Sequence, residues 1–107
     1  MNTFPKGQIV QFQHAIAYTD AGIVSKQVIK NEKGNVTLFA FSEGEGLSEH
    51  TAPFDALVQV IDGQVNIKIG GETFLLTTGD SIIMPANISH ALQSITSFKM
   101  ILTMIKV

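Results

Sequence analysis

The chain has 107 residues, 45% of them hydrophobic and 15% charged, which suits one domain built around one apolar core. Seven basic and nine acidic side chains give a formal net charge of -2 without any run of Lys or Arg, so no surface is set up to neutralise phosphates and nucleic acid is excluded as a partner. With no cysteine, disulfides, thiolate catalysis and cysteine-ligated zinc or iron–sulfur centres are excluded, leaving nitrogen and oxygen as the expected metal ligands.

The segment from Met1 to Val10 is polar, with a Pro and a Gly, and does not read as a signal peptide. No window sustains a helical period. Short β-branched and aromatic runs recur instead, with turn signals between them, and the fold class expected is all-β. Ile23 to Lys30 is the first strand, ended by Asn31-Glu32-Lys33-Gly34-Asn35. Val36 to Phe41 follows and stops at the loop from Gly44 to Gly46. Phe54 to Ile61 runs into Asp62-Gly63, and Val65 to Ile69 into Gly70-Gly71, turn pairs of the kind that tight hairpins favour. Thr73 to Leu76, Ser81 to Met84, His90 to Ser94 and Phe98 to Val107 bring the count to roughly nine or ten strands, the spacing of a sandwich or barrel. The last run carries Lys99, Thr103 and Lys106 and falls short of the roughly 20 residues that span a bilayer as a helix. The expectation is a soluble, cytoplasmic chain without membrane contact, and residues 1–107 read as one domain.

Two constellations carry the chemistry. From 44 to 63 the chain has Gly44, His50, Ala52, Ala56 and Gly63; from 79 to 94 it has Gly79, Pro85, Asn87, His90 and Ser94. In spacing these resemble the two motifs of the cupin superfamily, G-x5-H-x-H-x3-4-E-x6-G and G-x5-P-x-G-x2-H-x3-N. The resemblance implies a double-stranded β-helix, or jelly-roll barrel, in which the motifs meet inside. Asn87 stands where the family has Gly, and Asn is among the few other residues that tolerate a left-handed backbone. The family's metal set is three histidines and a glutamate. Here His50 and His90 remain, while Ala52 and Ala56 occupy the other two positions.

Strand alternation puts His50, Ala52, Phe54, Ala56, Val58 and Val60 on one inward face and turns Asp55 away from it. Pro53 lacks a backbone donor, so the parity is firmer from Phe54 onward. Two imidazoles can begin a site for Zn, Fe, Mn, Ni or Cu, but a third ligand is needed, and His14, Glu49, Asp55 and Gln93 are the candidates. Beside this stands the plainer reading, in which His50 and His90 are polar groups satisfied by water or by each other.

The alanines leave a small cavity expected to bind a small ligand, such as a carboxylate or polar metabolite, through His50, Phe54, Met84 and His90. Phe39, Phe41, Met100 and Met104 are further candidates for its lining, or simply core. The alternative function that the resemblance implies is a metal-dependent enzyme of dioxygenase or isomerase type. No serine near a histidine forms a triad pattern. On the outward face, Leu57 and Ile61 alternate with Asp55 and Gln59, too apolar for full solvation. Either an N-terminal strand of the same chain covers it or, as the resemblance implies, a second subunit in a homodimer.

Overall fold

The runs between turn residues become nine antiparallel strands in two facing sheets. The computed structural model describes residues 3–107; Met1 and Asn2, which begin the segment read as lacking a signal peptide, lie outside the described residues. In chain order the elements are α1 (Phe12–Ala15), β1 (Ile23–Asn31), β2 (Gly34–Phe41), β3 (Gly46–His50), β4 (Phe54–Asp62), β5 (Gln64–Ile69), β6 (Glu72–Thr77), β7 (Ser81–Met84), β8 (His90–Ser94) and β9 (Phe98–Lys106). One sheet has the order β1-β2-β9-β4-β7 and the other β3-β8-β5-β6. The crossovers between the sheets make a jelly-roll barrel, as expected of an all-β chain with these turns.

Two elements differ from the sequence expectation. The single helical turn α1 is too short to produce a periodic signal. Strand β3 carries no sequence signal of its own, because Leu47 is its only large apolar side chain and most of its residues face solvent. It lies at the edge of its sheet, where one strand of neighbours suffices.

The barrel interior is filled by alternate residues, as the pleat requires. On β4 the sides alternate faithfully: Ala56, Val58 and Val60 are buried, and Asp55 is exposed. Phe41 and Phe98 are both fully buried and stack with ring centroids 4.6 Å apart. Each contributes roughly 2–3 kcal/mol of apolar burial.

Outside the five-stranded sheet a second, smaller core forms. Ile16 is buried there with Leu38 and Ala40, and Phe4, Phe12, Tyr18, Ile61 and Ile101 pack around them. The N-terminal segment thus covers the Ile61 end of the outward face, although as a strap with one helical turn and not as a strand. It is pinned by Gln13 Nε2 donating to the Ile61 carbonyl at 2.9 Å and by Lys99 Nζ donating to the Gln13 carbonyl at 2.7 Å. The Tyr18 hydroxyl donates to Asp62 Oδ2 at 2.5 Å. Burial, and then the Asp62 carboxylate, push the Tyr18 phenol far above its usual pKa, so it stays a donor at any ordinary pH.

Among the described residues, Leu57 and Ile83 of the same face have no such cover, and the strap reaches only its β1 edge, where the Phe4 N–H donates to the Val28 carbonyl at 3.0 Å. A straight cross-strand row runs Ile29, Val36, Thr103, Leu57, Ile83 through all five strands. Ile29, Ile83 and the neighbouring Ile105 are exposed. Among the described residues no helix is long and apolar enough to cross a membrane.

Candidate functional site

The two motifs meet where the edge strand β3 pairs with β8. His50 and His90 are direct cross-strand partners, and their rings lie edge to face with centroids 4.3 Å apart. His90 is buried, whereas His50 is exposed. One imidazole therefore sits within the barrel and the other at its mouth.

The backbone around them is held by turns that the sequence encodes. Asn87 is the one non-glycine described residue with a left-handed backbone, at φ 64°. Its N–H donates to the Ala52 carbonyl at 2.8 Å, which ties the second motif to the first. Ser94, where the family has Asn, is buried, and its hydroxyl donates to the Ser42 carbonyl at 2.9 Å. The position still closes the barrel end with a polar bridge.

Behind the histidines lies a cavity of about 100 Å³, lined by Leu47, His50, Ala52, Ala56, Met84, His90, Leu92, Met100, Leu102 and Met104. Of the ligand-binding residues expected from sequence, His50, Met84 and His90 line it together. Phe54 does not: it is half-buried at the start of β4, cross-strand from Lys106 near the end of β9. Leu47, Leu92 and Leu102 were not anticipated. Leu92 follows His90 by two residues and so shares its face, and Leu102 lies between Met100 and Met104 on the same face of β9. That alternation was available in the sequence. Leu47 enters as the cross-strand partner of Leu92, which only the β3–β8 register reveals.

Hydrogen bonds define the tautomers. His50 Nδ1 lies 2.6 Å from the Ser48 carbonyl, and His90 Nδ1 lies 3.2 Å from the Ile88 carbonyl. A carbonyl can only accept, so Nδ1 carries the proton in both rings and Nε2 keeps its lone pair when the ring is neutral. Burial lowers the His90 pKa most, the bond to the Ile88 carbonyl opposes this, and nearby His50 lowers it further. At neutral pH, His90 is uncharged.

The four candidates for a third nitrogen or oxygen ligand are all elsewhere. His14 is exposed on α1 and lines a different groove, with Phe12, Ile61 and Thr78. Glu49 lies 3.7 Å from Lys68. Asp55 accepts the Ala86 N–H at 2.9 Å, and Gln93 donates to the Gly44 carbonyl at 2.8 Å. Among the described residues no group of three His, Cys, Asp or Glu converges. The residues present do not fit the three-histidine, one-glutamate set of the family.

A family model for the cupin domain matches residues 37–106, which include both motifs. The chain belongs to the cupin family. It is similar to a solved cupin-2 conserved barrel domain protein from Leptotrichia buccalis, with 38% identity and a TM-score of 0.84, over 88% of this chain and 46% of that one. A conserved protein of unknown function from Streptococcus pyogenes is 26% identical, with a TM-score of 0.93 over 99% of this chain and 93% of that one. A cupin superfamily protein from Desulfitobacterium hafniense shares the fold at 22% identity and a TM-score of 0.91, over 99% and 97% of the two chains. No curated protein matches this cupin.

Proposed function

We propose that this cupin is a binding barrel that takes a small, largely apolar ligand into the interior cavity and holds its polar end on His50 and His90. The observation that carries the reading is a cavity whose walls are apolar except for two imidazoles. A cavity of about 150 Å³ accepts benzene, so a volume near 100 Å³ suits a ligand of about four heavy atoms. The free Nε2 lone pairs accept from a hydroxyl or amide N–H. A carboxylic acid can hand its proton to one Nε2 and bind as the ion pair.

A panel of short-chain alcohols, amides and carboxylic acids tested by thermal shift examines this. A ligand at a hundredfold excess over its Kd stabilises by about 2.7 kcal/mol, well within detection. Ala52→Leu, which fills the cavity, is expected to abolish the shift. No stabilisation by any compound, or an equal shift in A52L, would sink the reading.

A second reading, a metal centre on the same pair and with it the enzyme alternative, is favoured by one specific feature. Metal-ligating histidines almost always donate their other ring N–H to a carbonyl or carboxylate, and both imidazoles here do so. The carboxylate and third histidine of the family set are lacking, so this reading needs a donor of another kind.

We further propose that the Leu57 end of the outer sheet face packs against a second copy of the chain. The uncovered row is apolar apart from Thr103, and a two-fold contact lets one such face meet itself. Sedimentation should give a dimer for the wild type and a monomer for Ile83→Lys combined with Ile105→Lys. A monomeric wild type at tens of micromolar would reject the contact.

A further inference from the structure

Three of the four methionines and two of the three histidines in the chain converge on one cavity. Their arrangement has sides. His50 and His90 come from β3 and β8, in the four-stranded sheet; Met84 comes from β7 and Met100 and Met104 from β9, in the five-stranded sheet. Met84 and Met104 are the two cross-strand neighbours of Ala56, the position where the family has its glutamate. Shortening that side chain to a methyl opens space between two thioethers. The expectation that any metal must be held by nitrogen and oxygen considered cysteine and left out this sulfur.

Donor chemistry and charge both select among metals. Thioether sulfur is a soft ligand that favours copper(I), and imidazole accommodates copper as well. The cavity contains no carboxylate. Ion desolvation cost grows with the square of the charge, so an uncharged, apolar enclosure penalises a divalent ion about four times as much as a monovalent one. Methionine side chains are also flexible enough to close on an ion from an irregular wall.

We infer that the cavity is a soft-metal site that takes one copper(I) ion on the imidazoles of His50 and His90 and on one or two of the thioether sulfurs of Met84, Met100 and Met104. The inference rests on the metal reading above and replaces its missing hard ligands with sulfur. The isolated imidazole pair remains available to a divalent ion, but with few donors and no compensating charge. Leu47, Leu92 and Leu102 complete the lining.

The test titrates the purified chain with copper(I) under ascorbate against a chromogenic copper(I) chelator, and separately with zinc(II). The expected result is one copper(I) per chain, with zinc(II) at least about a hundredfold weaker. Met84→Leu, Met100→Leu and Met104→Leu together should weaken copper(I) at least about tenfold, and these swaps preserve volume at a cost usually below about 1.5 kcal/mol each. Because a triple variant can still misfold, X-ray absorption at the copper edge of the wild type provides the second readout, and sulfur neighbours beside nitrogen are expected. Copper(I) held with nitrogen neighbours only, or with affinity unchanged in the leucine variant, would overturn the thioether site and leave a two-histidine metal site standing. Binding of neither ion would overturn both.

Discussion

Ala52→His combined with Ala56→Glu is expected to raise zinc(II) affinity by more than a hundredfold. Both alanines line the cavity with His50 and His90, so the two substitutions restore the three-histidine, one-glutamate set in its family spacing. Outer partners of a metal site are worth roughly 10–100-fold in affinity, and adding two direct ligands should exceed that. The hydrogen bonds that orient the ligands are already in place, because both native imidazoles donate Nδ1–H to backbone carbonyls. Without metal the new glutamate lies buried among Met84, Met100 and Met104 and costs several kcal/mol, so the variant should melt early and recover on adding zinc. Competition with a zinc indicator measures the gain. If affinity stays at the wild-type level, positions 52 and 56 do not direct side chains to a common point with the histidines.

Gly63→Ala is expected to destabilise the fold by about 3 kcal/mol or more, a large share of the 5–15 kcal/mol that holds a domain of this size. Gly63 alone connects β4 to β5 with φ 88°, where an L side chain is strained by about 1–2 kcal/mol. A Cβ there would lie 2.1 Å from the Ser97 carbonyl oxygen and 2.8 Å from Cα and Cβ of Phe98. Those are atoms of the β9 entry, and Phe98 is fully buried against Phe41, so the neighbour cannot yield cheaply. Gly71→Ala is the control: a Cβ there meets nothing within 4 Å, and the effect should stay within about 0.5–1 kcal/mol. Urea denaturation of both variants decides the matter. A loss below 1 kcal/mol for G63A would mean that the hairpin relaxes around the added methyl.

The barrel was legible because the sequence specifies its turns more sharply than its strands. Gly44, Gly63 and Gly79 all carry the positive φ that tight connections need, and Asn87 adopts the left-handed backbone that its side chain permits. The inward face of β4 followed from simple alternation. What escaped was set by tertiary position. Strand β3 is nearly without apolar pattern because it is an edge, and α1 is one turn stabilised by packing on Leu38 and Ala40. At the site, motif spacing pointed to His50, His90 and the two alanines. Phe54 shares their alternation yet lies outside the cavity lining. The methionine wall is a product of register, since Met84 and Met104 are 20 residues apart and meet only as the two neighbours of Ala56. The outer face was half answered by the N-terminal strap, which among the described residues covers Ile61 and the β1 edge at Val28.

Strand β3 is joined to β8 through Gly46, Leu47 and His50, with an irregular register between Leu47 and His50, and has no further neighbour in its sheet. A wall of this kind can swing outward at the expense of a few edge hydrogen bonds while β4, β5 and β9 stay intact. The exposed imidazole of His50 would move with it, and buried His90 would remain. On the proposed binding reading, residence time in the cavity would follow local opening of one short edge strand, so a guest could be weakly bound and slow to leave, or tightly bound and quick to exchange, according to how firmly residues 46–50 are latched.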